Sequence, residues 1–153
     1  MREKSRPLIF LTALITALVL LACADVCAQA AELKFQVQLV WATDDPKPPE
    51  GKNYKPVEAE IRKQIKALKW KNYFEVRRID FSMAPGATKK VAISEKCGLD
   101  VKHLGNSNLE VVVFGKGKEV ARVKQSLRKG EILVPGGEAP NETAWLVILK
   151  RLE

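Results

Sequence analysis

Histidine and cysteine are nearly missing from this chain: there is one histidine, His103, and three cysteines, Cys23, Cys27 and Cys97, in 153 residues. A zinc centre takes three or four ligands from cysteine, histidine and carboxylate, so no metal site is expected, and no other cofactor. No glycine loop opens a helix: Gly115-Lys116-Gly117 runs into Val120, Ala121 and Val123, which read as a strand, and phosphate-cradling loops need a helix at that point. Internal repeats are absent. The one long apolar run, Leu8 to Ala22, is broken by Thr12 and Thr16 and falls short of the roughly 20 residues that a membrane-spanning helix needs.

What is present begins with an export signal. Arg2, Lys4 and Arg6 stand against a single Glu3 ahead of the apolar run, and small residues follow it, the layout of a secretory leader. Ala28-Gln29-Ala30 fits the small-x-small cleavage pattern, which makes residues 1–30 the signal peptide and residues 31–153 the mature domain. A second site competes with it. Leu20-Leu21-Ala22-Cys23 resembles the lipobox of bacterial lipoproteins, and that resemblance implies a lipid on Cys23 and a membrane-tethered chain.

Cleavage after Ala30 leaves Cys97 as the lone cysteine, so no internal disulfide forms and stability rests on an apolar core. A single domain of this length buries enough surface for that. Charge survives the cut. The chain holds 26 Lys and Arg against 18 Asp and Glu; the leader removes three bases and two acids, leaving 23 against 16 and a net of +7. Such a surface favours anionic partners.

Leu33, Phe35, Val37, Leu39 and Trp41 alternate with Lys34, Gln36 and Gln38, the period of a half-buried strand that pairs centrally. Residues 44–56 carry Pro46, Pro48, Pro49, Pro56 and Gly51 and read as an exposed loop. Val57, Ile61, Ile65 and Leu68 then form one stripe, predicting an amphipathic helix over about 57–69, with Pro56 in its first turn and a Glu58–Arg62 pair on its surface. From Trp70 onward the pattern is β. Parity shifts at Arg77-Arg78, as a β-bulge or a bend between two strands requires. Turns are marked by Pro85-Gly86, Gly105 to Asn108, Gly115 to Lys118 and Pro135 to Gly137, and Trp145 to Leu149 is apolar on both parities, which implies burial on both faces. The fold class that follows is α+β or mainly β: an antiparallel sheet or β-sandwich with one helix packed on it.

The segments Asn72 to Val76, Leu104 to Ser107, Phe114 to Lys118 and Lys129 to Val134 resemble exported β-rich bacterial proteins. That resemblance covers residues 70–149; it implies an exported β-rich fold and brings no activity with it.

Chemistry has few candidates. Cys97 and His103 are six apart, about 20 Å on a flat strand at ~3.3 Å per residue, so only a bend at Gly98 would make them a nucleophile–base pair. Cys97 instead continues the apolar row of Leu99 and Val101 and reads as structural and unreactive, and His103 reads as a surface residue at a strand end. The remaining constellation is basic and aromatic. Lys69, Trp70, Lys71, Tyr73, Arg77 and Arg78, with Lys66, crowd one helix–strand junction, where rings can stack and cations can hold an anionic polymer. The competing reading has Trp70 anchoring the helix to the sheet. A second basic run, Lys116 to Lys129, reads as solvated hairpin residues that guard an edge strand.

The expectation is therefore a non-enzymatic interaction or structural module of the cell envelope or periplasm, with no transmembrane segment once mature. Its partner would be an envelope protein or an anionic polymer. Binding of polyanions or polysaccharides at the junction is one alternative, and a wall or glycan hydrolase with convergent carboxylates is another. Cleavage after Ala30 predicts the intact mass of residues 31–153 for the exported protein; a mass carrying diacylglycerol on Cys23 would establish the lipoprotein instead.

Overall fold

The alternating segment at the start of the expected mature chain becomes β1 (Leu33–Thr43), the strand around which the others are arranged in this computed structural model, which describes residues 31–139 and 142–153. The expected signal, its cleavage site at Ala28 and Ala30 and the alternative at Cys23 lie outside the described residues. β1 pairs antiparallel on both sides, with β3 (Asn72–Met83) and β10 (Thr143–Arg151). A two-residue strand, β2 (Lys55–Pro56), adds to the outside of β3. On the far side of β10 lie β8 (Ile132–Leu133) and β9 (Gly136–Ala139). Pro135 separates those two: having no N–H it suits an edge, and its carbonyl accepts a 2.9 Å bond from the Val147 amide.

The second sheet is an antiparallel meander of β4 (Thr88–Ala92), β5 (Cys97–Gly105), β6 (Asn108–Gly115) and β7 (Lys118–Ser126). The chain is thus mainly β, in two antiparallel sheets with one short helix, as its alternating segments and turn residues imply.

The sheets pack face to face. Phe35, Val37 and Leu39 of β1, with Val147 and Leu149 of β10, meet Leu99 and Val101 of β5 and Leu109, Val111 and Val113 of β6. The other face of the first sheet is covered as well. Val40 and Ala42 of β1 and Leu146 and Ile148 of β10 pack against Val57, Ile61 and Ile65. β10 is therefore buried on both sides from Leu146 to Leu149, as its doubly apolar sequence predicts, whereas Trp145, expected to be buried with them, is exposed. β1 departs from its half-buried pattern: Gln38, expected on a polar face, is 1% exposed. Its amide donates to Gln36 Oε1 at 3.0 Å, and Gln36 Nε2 donates to Asp80 Oδ1 at 2.9 Å, a side-chain ladder under the helix layer.

That layer differs in detail from the prediction. The stripe Val57, Ile61, Ile65 is buried, but regular helix, α1, spans only Ala59–Gln64. Pro56 lies in edge strand β2, and the Val57 amide donates to the Tyr73 carbonyl at 3.0 Å. The Glu58–Arg62 pair does not form, because each partner has a better one. The Glu58 carboxylate takes Arg78 at 2.7 Å, and Arg62 donates to the Lys71 carbonyl at 3.0 Å, where the chain turns toward β3. A helix this short has no stability of its own; its buried stripe holds it.

Connectivity gives the two ends of the paired sheets different characters. The chain passes between sheets twice, from β3 to β4 and from β7 to β8. Met83 pairs with Leu33 and Ser126 with Asn108, so the register puts both crossings at one end. That end is pinned: His103 Nδ1 accepts from the Gly86 amide at 2.9 Å, the Leu127 amide donates to the Ser107 carbonyl at 2.8 Å, and Arg151 donates to the Leu127 carbonyl at 3.0 Å. At the other end every described connection returns within its own sheet. No helix among the described residues is long and apolar enough to cross a membrane.

Ile61→Ala should lower stability by about 2–5 kcal/mol, the range for deleting a fully buried aliphatic side chain, whereas Lys63→Ala on the exposed face should stay within about 0.5 kcal/mol. Urea unfolding of the two variants checks both.

Candidate functional site

The end without crossings is open. A cleft of about 830 Å³ lies there, lined from the first sheet by Leu39, Val76, Arg77, Trp145 and Val147. From the second sheet it is lined by Cys97, Val113, Val120 and Ala121, with the β4–β5 turn Ser94 to Lys96 and with Lys116. Its walls are apolar. Two of the three large hydrophobic residues that the described chain leaves exposed, Val120 at 63% and Trp145 at 43%, are on its lip.

Each sheet carries one register irregularity whose residues line the cleft. In β3 the pairing with β1 shifts between Leu39, opposite Arg77, and Val40, opposite Glu75, so Val76 is the additional residue. In β7 the pairing with β6 shifts between Val113, opposite Ala121, and Phe114, opposite Glu119, so Val120 is additional. A regular strand turns consecutive side chains to opposite faces. Each bulge lets two consecutive residues, Val76 with Arg77 and Val120 with Ala121, line the same cleft, while it bends its strand. The bulge expected at Arg77-Arg78 is thus present, one residue earlier, within a single continuous β3.

The polar groups of the mouth come from that bulge and from two turns. The Lys116 amide donates to the Lys96 carbonyl at 2.7 Å, which ties the β4–β5 and β6–β7 turns side by side. Lys116 and Gly117 have φ of 51° and 77°, the paired left-handed conformation of a tight hairpin turn. Asparagine is the usual first residue there, and a lysine in that conformation costs roughly 1–2 kcal/mol. Arg77, Lys96 and Lys116 make no ion pair among the described residues, and the only carboxylate in the lining is Glu95.

The basic–aromatic junction does not form one surface. Trp70 is partly buried against the helix-side core, its Nε1 donates to the Glu142 carbonyl at 2.7 Å, and Lys69 Nζ stands 5.0 Å from its ring centre. This is the anchoring role. Tyr73 is 6% exposed and offers no stacking face; burial pushes its phenol pKa up, partly offset by the Trp70 backbone and the Arg62 charge. Lys71 is exposed, with its amide donating to Asp44 Oδ1 at 3.0 Å. Arg78 turns to the helix side and is held by Glu75 at 2.6 Å and Glu58 at 2.7 Å, while Arg77 lines the cleft on the opposite face. The six residues are divided among a core, a loop and both faces of a sheet.

Cys97 and His103 are likewise separated, because β5 runs unbroken from one to the other and Gly98 makes no bend. His103 is not a surface residue: it is 8% exposed, on the inward row of Leu99 and Val101, where the Gly86 amide finds its acceptor. Lys118, Arg122 and Lys124 do guard an edge, since β7 is outermost in its sheet. Arg122 is clasped by Glu110 and Glu119, each at 2.7 Å, and holds both carboxyls below the usual carboxylate range. No cluster of three or more metal-ligating side chains occurs among the described residues. No family model, curated protein or solved structure matches the chain.

Nothing in the sequence marks Val76 or Lys96 as functional, while Lys116 reads there as a solvated hairpin residue and Trp145 as part of a buried strand. The consecutive apolar pair Val120-Ala121, a second break in parity, is the signal that points to the second bulge.

Cys97 is half-buried on the cleft wall, and burial pushes its thiol pKa up. A raised pKa lowers the thiolate fraction at neutral pH, and thiolate is the reactive form. Alkylation of the folded protein should therefore be slow at neutral pH and accelerate only as pH climbs past the ordinary thiol range. Fast, stoichiometric labelling at neutral pH would contradict the unreactive assignment.

Proposed function

We propose that the chain is an exported, non-enzymatic binding module of the bacterial envelope or periplasm, a β-sandwich that accepts its ligand between the open ends of its two sheets. The observation that carries this reading is the cleft itself: apolar walls, a volume of about 830 Å³ and exposed Val120 and Trp145 at its lip. Small-molecule sites commonly fall in the range of roughly 300–1,000 Å³ with mostly apolar linings. Export rests on the basic, apolar and small-residue layout of residues 1–30.

The hydrolase alternative has less support, since paired-carboxylate cleavage needs two acids and the cleft lining contains Glu95 alone. Polyanion binding at the junction is left with net charge as its argument, because the cluster is divided.

Titration with N-phenyl-1-naphthylamine, an uncharged dye that brightens in apolar surroundings, tests the reading. Saturable binding is expected. Val120→Asp, a change at an exposed position, should weaken it several-fold without lowering the melting temperature. A folded wild-type domain that leaves the dye dark would remove the cleft as a binding site.

A further inference from the structure

Resting on the cleft reading, we propose that the ligand is a single-chain amphiphilic anion, taken up as a monomer: its hydrocarbon chain runs between the sheets and its anionic head sits against Arg77, Lys96 and Lys116. The two parts of the cleft call for two parts of a ligand. Leu39, Val113 and Val147, almost wholly buried, form the floor and Val76 and Ala121 the half-buried sides, and none has a hydrogen-bonding side chain, which suits an acyl chain and leaves a polar polymer's hydroxyls unsatisfied. The mouth has three cations and one carboxylate, a local excess of positive charge.

The way these cations are presented matters as much as their number. Arg78, the sequence neighbour of Arg77, is neutralised by two carboxylates on the opposite face. The Val76 bulge is what sends Arg77 to the cleft instead. Lys96 and Lys116 are brought together by the bond between their two turns, and Lys116 holds a left-handed conformation that asparagine or glycine would adopt more readily. A cation beside an apolar wall also interacts more strongly with an anion than one surrounded by water. Arginine and lysine at the rim of a hydrocarbon slot therefore select a charged head joined to an apolar tail.

A membrane surface would meet the same two chemistries, but in another geometry. A bilayer presents a flat array of heads, whereas here the apolar surface is recessed between two sheets with the cations at the opening. That favours a lipid anion removed from its bilayer over an intact one.

The test compares dodecanoate, dodecan-1-ol and dodecyltrimethylammonium below their aggregation concentrations, by displacement of the naphthylamine dye and by Trp145 fluorescence with Trp145→Phe as the control. The carboxylate is expected to bind about tenfold more tightly than the alcohol, a margin in keeping with a few partly exposed charge contacts, and the cation more weakly than either. Added salt should narrow the margin. The triple variant R77Q/K96Q/K116N should bring dodecanoate down to the affinity of the alcohol, and circular dichroism melting verifies that it is folded. Bound dodecanoate should also slow alkylation of Cys97, which locates it in the cleft. Equal affinity for acid and alcohol would overturn the head-group assignment and leave the apolar cleft standing. Dye binding without displacement by any of the three would overturn the single-chain ligand. Co-sedimentation with anionic phospholipid vesicles, with no binding of dodecanoate, would make this end a membrane-docking face and overturn monomer uptake.

Discussion

Everything in this fold hangs on the double pairing of β1. With β3 on one side and β10 on the other, its backbone groups are satisfied along its length, and both of its faces are free to be buried. Its odd-numbered residues, Phe35, Val37 and Leu39, enter the space between the sheets; its even-numbered residues Val40 and Ala42 lie under Val57, Ile61 and Ile65. A fully buried side chain of this kind contributes about 1.5–3 kcal/mol, and one strand delivers such side chains to two cores. The six-residue α1 persists on that account. It has no capping side chain, since Glu58 at its start is engaged with Arg78.

The connectivity then decides where the molecule can open. Both passages between sheets occur at one end, which is closed by His103, by Leu127 and by Arg151 reaching the Leu127 carbonyl. At the far end the sheets are joined by no described connection, and their separation there is set by side chains alone. Bulges at Val76 and Val120 bend one strand of each sheet at that end. The cleft lies where the topology leaves the two sheets unlinked and both bulges fall.

Much of this was legible. Alternation identified β1, the doubly apolar run identified the two-sided burial of β10, and Gly-containing turns marked the β-meander. The helix is shorter than its stripe implies because a stripe at helical spacing records which residues are buried and not where hydrogen bonding stops: Ile65 is buried with the stripe although α1 ends at Gln64. His103 was misplaced because its partner, the Gly86 amide, is 17 residues away, and a lone histidine near a turn carries no mark of such a contact. The residues of the junction part for a related reason. Nearness in sequence placed Arg77 and Arg78 in one cluster, but successive strand residues face apart, and the bulge that assigns each its face is defined only by the register with β1. The cleft was the least legible feature, since its residues come from seven separated segments.

Charge shows the same dependence on placement. A net of +7 for residues 31–153 follows from counting, and a count has no address. Many of the cations responsible are paired, as are Lys34 with Glu153, Lys150 with Glu60 and Arg122 with Glu110 and Glu119. Others stand alone on solvated loops. Arg77, Lys96 and Lys116 are set apart not by lacking acidic partners but by what lies behind them. Water screens an isolated lysine on an open strand and weakens its pull on any anion. Hydrocarbon on one side of a cation lowers the local screening, which favours an anion at the cleft over one elsewhere on an equally basic surface. In the proposed binding mode the apolar walls thus do two things at once: they offer a tail a place to be buried, and they sharpen the attraction of the mouth for a charged head.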